Sequence, residues 1–362
     1  SMCSLVNHPK KFTLKGVLQT LVGILVFVII FCVVSEICRD KSGDRYILTP
    51  EQTSEQQIEV IFAGSSHMNN AAYPLMLWEK YGITSYNHAQ SGQILPVSYY
   101  ACKDAIELYH PKVLALDVYM LYHAKKTGNI TWMHQSFDRM SFSNRLQGIL
   151  DLIPREQWKE FLVPLTLYHA RWESLLERDF TFDKSALDVN RGCSMNFTHA
   201  TDITGLTLQI ADASEKIEPP EIAVEYLTRI AELCQETGTE LLLVALPYFT
   251  SDEVAETTHN MSKDQAYFNW VADFAAEYGA NYINYFHIVD EIGFNWYEHL
   301  FNYSHMNYWG GCVITEHLGE YLHTHYDLED YRDDPLYENW NEDLERFHQS
   351  IENSLQKAAD AQ

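Results

Sequence analysis

From residue 57 onward, short unbroken apolar runs alternate with longer stretches whose apolar residues recur every three or four positions. The runs are QIEVIFAG (57–64), KVLALDVYML (112–121), ELLLVALPYF (240–249) and NYINYF (281–286), and SYNHAQSGQ (85–93) reads as a short strand and a loop. Runs with little polar alternation belong to strands covered on both faces. The stretches between them predict helices around 73–81, over 97–110 and stopped by Pro111, over 220–238, over 263–279 and within 307–326. In the helix over 220–238, Ala223, Leu227, Ile230 and Cys234 form one stripe, and Gly238 stands where a left-handed cap belongs. In the helix over 263–279, Phe268, Val271 and Phe274 or Ala275 face inward. Strands alternating with helices of this length predict a parallel sheet in a three-layer α/β domain over 57–330.

The alternation breaks between residues 124 and 220. That segment has helix-like pieces such as REQWKEFLVPLTLYHARWESLLE, long polar connections and no clear strand. It predicts an insertion over one end of the sheet, a position from which loops shape substrate sites. Residues 331–362 form an acidic tail, helical after Pro335.

Ahead of the domain, VLQTLVGILVFVIIFCVV (17–34) carries no charge and is long enough to cross a bilayer as a helix. Lys10, Lys11 and Lys15 precede it, which places the amino terminus inside. A cleaved signal peptide competes, but the apolar stretch is long and VVSEICRDK has no A-x-A-like site. Residues 1–39 are therefore expected to be a cytoplasmic stub and single-pass anchor. Residues 40–56, with Pro50, read as a linker, and the rest of the chain is expected outside the cytoplasm.

Composition changes this picture in two ways. The net charge of -25 argues against nucleic acid and against an anionic membrane surface as partners of the main domain. The seven cysteines include no CxxC pair, so zinc and redox spacings are absent. His67 has no H-x-H or HExxH partner nearby, so no metal and no cofactor is expected. The four N-x-[ST] triplets, at Asn129, Asn196, Asn260 and Asn302, carry no functional weight.

Ligands of an open parallel sheet sit beyond the carboxyl ends of its strands. Three segments converge there: Gly64-Ser65-Ser66-His67, Ser91-Gly92-Gln93, and FNYSHMNYWGG (301–311). A serine hydroxyl needs a base within hydrogen-bonding reach, and His305 is the candidate base for Ser66. A carbonyl under attack also needs donors for its oxyanion, and the Ser66 and Gly92 amides are placed to supply them. Ser65, His67 and Gln93 are candidate substrate contacts beside them. In the insertion, His169 and Arg171 are candidates for sugar hydroxyls or a phosphate, with Trp172 on the same face as His169 if the segment is helical. A partly buried amphipathic helix is an equal reading of that segment.

These motifs resemble the SGNH, or GDSL-like, hydrolase superfamily. IFAGSS is similar to its first block, with Ser65 where an aspartate usually stands and Ser66 in the nucleophile position. SHMNYWG is similar to its last block. GSSHM, ALPYF, LYHARW and SHMN…HLGEYL…YDL look like one branch, the cell-surface acyl-transfer proteins such as the D-alanyl-transfer protein of teichoic-acid modification. The resemblance covers most of 57–330. It implies a flavodoxin-like SGNH fold with a parallel central sheet, an anchoring amino-terminal helix, and work beside a membrane-bound O-acyltransferase. It also implies an acyltransferase or esterase that acts on acyl groups of a cell-envelope polysaccharide or teichoic acid.

Two positions depart from the family pattern. Its last block reads Asp-x-x-His, and here Asn302 takes the aspartate position. Either a Ser–His dyad remains, or Glu298 or Asp290 supplies a carboxylate. The oxyanion asparagine of the third block is also missing, because the strand end reads Leu116-Asp117-Val118-Tyr119. These departures keep open a non-catalytic role, in which the same pocket holds the polymer or the membrane acyltransferase.

Overall fold

The computed structural model describes residues 13–39, 55–163, 165–180, 190–251, 253 and 261–360. These sort into two compact units, one drawn from residues 1–41 with 156–182, the other from 42–155 with 183–362.

In the first unit, α1 (Leu14–Cys38) is a single helix capped by the Thr13 side chain, which accepts from the Gly16 amide. It is long and apolar enough to cross a membrane. Its carboxyl end is tied to the second segment of the unit. Arg171 donates to the carbonyls of Cys38 and Arg39 and to both carboxylate oxygens of Asp179 at 3.0 Å. That segment, which reads as helix-like in sequence, is not one continuous helix. It breaks into short pieces at Trp158–Leu162 and Leu165–Tyr168 and a 3-10 turn at His169–Ser174. The break falls between Leu162 and Leu165, where the sequence carries a proline, a residue type that cannot donate into a helix and disfavours helical geometry in its neighbour. The predicted linker lies almost wholly outside the described residues, as do Lys10, Lys11 and Asn260.

The second unit is α/β, built on five parallel strands: β1 (Val60–Ala63), β2 (Ser85–Asn87), β3 (Val113–Asp117), β4 (Glu240–Ala245) and β5 (Asn281–Asn284). Their order is β2-β1-β3-β4-β5. The register runs Val60 to Val113, Val113 to Glu240, and Leu242 to Asn281. All residues of β1, β2 and β3 are buried, and the apolar runs of β1 and β3 accord with cover on both faces. The order reverses direction between β1 and β3, so the crevice at their carboxyl ends is the natural ligand position.

The helices are α2 (Ser66–Asn69), α3 (Pro74–Tyr81), α4 (Leu95–Tyr109), α5 (Ile130–Phe137), α6 (Phe142–Leu152), α7 (Glu221–Thr237), α8 (Met261–Tyr278), α9 (Tyr308–His325) and α10 (Glu338–Asp360). Among them α3 meets α9 and α10, α4 meets α6 and α7, and α8 packs on β5. The stripe Ala223, Leu227, Ile230 and Cys234 is buried and Gly238 is left-handed at φ 73, as predicted. The acidic tail becomes α10, whose Trp340 is buried under the Arg191 guanidinium, 3.4 Å from the ring centre.

The expected insertion does not behave as one piece. Among the described residues 124–220 hold no strand. Helices α5 and α6 pack with α4 in the sheet-bearing unit, while the contacts of 156–182 group it with α1.

Candidate active site

β1 ends where Gly64 turns the chain. Its φ of +123 is a conformation that side chains avoid, and a Cβ there would stand 2.7 Å from the Asp117 carboxylate. Asp117 closes β3, the neighbouring strand, and fills the space glycine leaves. One of its oxygens accepts from both the amide and the hydroxyl of Ser65 at 2.7 Å, and the other accepts from the Tyr119 amide at 2.7 Å. Burial lifts its carboxyl above the usual range, against these bonds, which favour the carboxylate. Ser65 then caps α2 by accepting from the His67 amide. From Ile58 to Leu75, Ser66 is the one residue not fully buried. A strand that ends in small hydroxyls thus delivers a single hydroxyl to the surface. Gly64→Ala is expected to destabilise the chain by about 2–3 kcal/mol through backbone strain and the clash with Asp117. Urea unfolding checks this, and wild-type stability would count against the account.

The Ser66 Oγ lies 2.8 Å from His305 Nε2. His305 sits on a loop closed by the Leu300–Met306 bridge and by the Phe301 amide donating to the His305 carbonyl at 3.0 Å. The Asn302 Oδ1 accepts from the Ser304 and His305 amides at 2.9 and 2.8 Å, and it stands 3.2 Å from His305 Nδ1. Two backbone donors fix which end of the Asn302 amide is the oxygen. An oxygen accepts only, so Nδ1 carries the proton and Nε2 offers its lone pair to the Ser66 hydroxyl. Burial pushes the imidazole down to about 4, so the ring is neutral at physiological pH. Asn302 itself takes the orienting position that Glu298 and Asp290 were candidates to fill.

A cleft of about 450 Å³ opens over this pair, and Ser91, Gly92, Trp132, Tyr122 and Tyr303 contribute to its walls. Gly92 is left-handed at φ +61, and Trp132 packs so closely on it that no Cβ would fit. Neither the Ser66 nor the Gly92 amide donates to an acceptor among the described residues. Both residues line the cleft.

Other predicted contacts are placed elsewhere. Ser65 lines the cleft, but its hydroxyl is committed to Asp117. His67 is buried behind the cleft, stacked on Tyr119 at 3.6 Å, with Nε2 3.2 Å from the Ser304 Oγ. It braces the loop that carries His305 and is not among the residues that line the cleft. Gln93 is buried and donates to the Ser98 hydroxyl inside the first turns of α4. His169 holds the Thr166 carbonyl at 3.1 Å and Arg171 holds Asp179, so both serve the first unit. Sequence reading missed Asp117 as the tie between β1 and β3, and missed Tyr119 and Trp132. The signal for Asp117 was present: a carboxylate that ends a buried strand needs donors, and the turn after β1 supplies them.

No protein-family model matches the chain, and no curated protein matches it.

Proposed function

We propose that the chain is an extracytoplasmic, membrane-anchored, SGNH-like O-acyltransferase or esterase. Its substrates would be acyl groups on a cell-envelope polysaccharide or teichoic acid, and it would work beside a membrane-bound O-acyltransferase. The carrying observation is the 2.8 Å contact between Ser66 and a neutral His305 whose far nitrogen is held by Asn302. The lysines ahead of α1 support an outward-facing domain.

In this reading Ser66 Oγ attacks the acyl carbonyl while its proton passes to His305 Nε2. The oxyanion takes the Ser66 and Gly92 amides. The carbonyl re-forms, the C–O bond to the leaving alcohol breaks, and His305 returns the proton to that alcohol, leaving acyl-Ser66. An acceptor hydroxyl then gives its proton to His305 as it attacks the acyl carbonyl, the C–O bond to Ser66 breaks, and His305 returns the proton to Ser66 Oγ, which restores the hydroxyl and the neutral ring. Water as acceptor gives hydrolysis, and a sugar hydroxyl gives transfer.

A non-catalytic partner that holds the polymer or the acyltransferase is the second reading. It is favoured by Asn302 in place of a carboxylate and by Asp117, which only accepts where the resemblance implies an oxyanion donor. A fluorophosphonate probe separates the two. Labelling of the wild-type chain, lost in Ser66→Ala, is the expected result. An unlabelled wild-type chain would sink the enzyme reading.

A further inference from the structure

A second pocket, of about 550 Å³, opens at the base of the loop whose tip carries Asn302 and His305, and it is lined by His199, Tyr297, Glu298, His299 and Trp309. His199 lies flat on the Trp309 indole, with centroids 4.6 Å apart and planes 10° apart. Tyr297 is 47% exposed at the pocket, with its hydroxyl held by the Leu206 carbonyl at 3.0 Å. Flat aromatic surface with one polar edge suits the apolar face of a sugar ring.

The polar groups suit hydroxyls. His299 Nδ1 accepts from the Asn295 amide at 3.0 Å, so in the neutral ring Nε2–H is a donor. His199 Nδ1 donates to the Glu298 carbonyl at 2.9 Å, so its Nε2 is an acceptor. Burial lowers the affinity of His299 for a proton, in keeping with a neutral ring. One donor, one acceptor and the Glu298 carboxylate match groups that both give and take hydrogen bonds. The carboxylate and the net charge of -25 select against a polyanion, so of the two polymers proposed above this pocket fits a neutral polysaccharide and not a teichoic acid. No group of three or more metal-ligating side chains converges among the described residues.

The pocket shares its framework with the catalytic loop. The Asn307 amide donates to the His299 carbonyl at 3.1 Å, and the Asn307 side chain donates to the Glu298 carbonyl at 2.7 Å and caps α9 at the Gly310 amide. His299 and Asn302 are thus separated by a few residues of chain, roughly 10 Å if extended. The linings of the two pockets are therefore joined through one short loop.

We propose that this pocket is a second binding site, for an uncharged stretch of saccharide, at the base of the loop whose tip carries Asn302 and His305. The identification of that saccharide as the acceptor polymer rests on the function proposed above, while the binding site itself does not. The test is calorimetric titration of full-length Ser66→Ala protein in detergent with neutral oligosaccharides of four to six hexose or N-acetylhexosamine units. At least one member of the panel is expected to bind saturably. Trp309→Ala and, separately, His199→Ala, each shown to be folded by thermal melting, are expected to weaken that binding about tenfold. His199 is exposed, so its variant tests the site even if Trp309→Ala fails to fold. Failure of every oligosaccharide to bind, or unchanged affinity in a folded variant, overturns the proposal. Labelling of Ser66 by fluorophosphonate without saccharide binding would overturn this site alone. Saccharide binding without labelling would overturn the enzyme reading alone.

Discussion

Alanine at Ser66, at His305 or at both is expected to lower turnover of a short-chain p-nitrophenyl ester by about a thousandfold or more, with the double variant no worse than either single one. The two side chains act on one proton. With the Oγ removed there is nothing to deprotonate, and with the imidazole removed the hydroxyl stays protonated in a part-buried site. The 2.8 Å contact allows this transfer without rearrangement. Residual turnover would come from the Ser66 and Gly92 amides and from substrate binding. Steady-state rates of the three variants, with thermal melts to show that each is folded, check the expectation. Losses that multiply in the double variant would show that the two residues act independently, and the proposed proton transfer would fail.

Asn302→Asp is expected to raise activity and to shift its pH dependence. The wild-type ring is held down to about 4 because burial disfavours its charged form and Asn302 offers no negative charge to offset this. The base works only when neutral, so wild-type activity should be flat above pH 5 and fall as pH drops through about 4. A carboxylate 3.2 Å from Nδ1 would stabilise the imidazolium that forms as Ser66 loses its proton. That should move the low-pH limb upward by about one to three pH units. At pH 8 it should raise kcat/KM by about tenfold to a hundredfold, since each pH unit corresponds to about 1.4 kcal/mol. The pH–rate profiles of the two proteins decide the matter. A limb that stays at about 4 in the variant would mean that residue 302 does not act on the imidazole.

The depressed value also has a consequence for folding. The free histidine takes a proton near 6.5, whereas the folded one does so only near 4. The unfolded chain therefore binds more protons between these values, and His305 contributes stability that is lost as pH falls below 6.5.

Local chemistry made part of this legible in the sequence. The β1, β3 and β4 runs were recognisable because double-faced burial leaves no polar alternation, and the α7 stripe and Gly238 cap because helical periodicity and left-handed backbone constrain residue type at short range. The apolar helix α1 was legible for the same reason. Ser66 stood out because a buried strand seldom ends in consecutive hydroxyls unless the backbone turns sharply there, as Gly64 does. Position in the strand–helix alternation also nominated His305.

Where His67 and Gln93 point was not legible, because adjacency in sequence to Ser66 or Gly92 does not say which way a side chain turns. One turn of α2 rotates His67 into the Tyr119 stack, and the first turns of α4 absorb Gln93. The placement of His169 and Arg171 was not legible, because their partners, the Thr166 carbonyl and the Asp179 carboxylate, are set by how the short pieces of this segment fold.

By itself the sequence determined most of the elements, the membrane-length helix and the serine pair that follows β1, because each depends on neighbours within about two turns or one strand, and the alternation of strands with helices implied a parallel sheet. Only the tertiary structure decided that a ring 239 residues away meets the Ser66 hydroxyl, that Asp117 rather than a loop residue locks the turn, and that residues 156–182 group with α1. Those outcomes depend on packing between distant segments, and no local pattern of residues encodes which surfaces will meet.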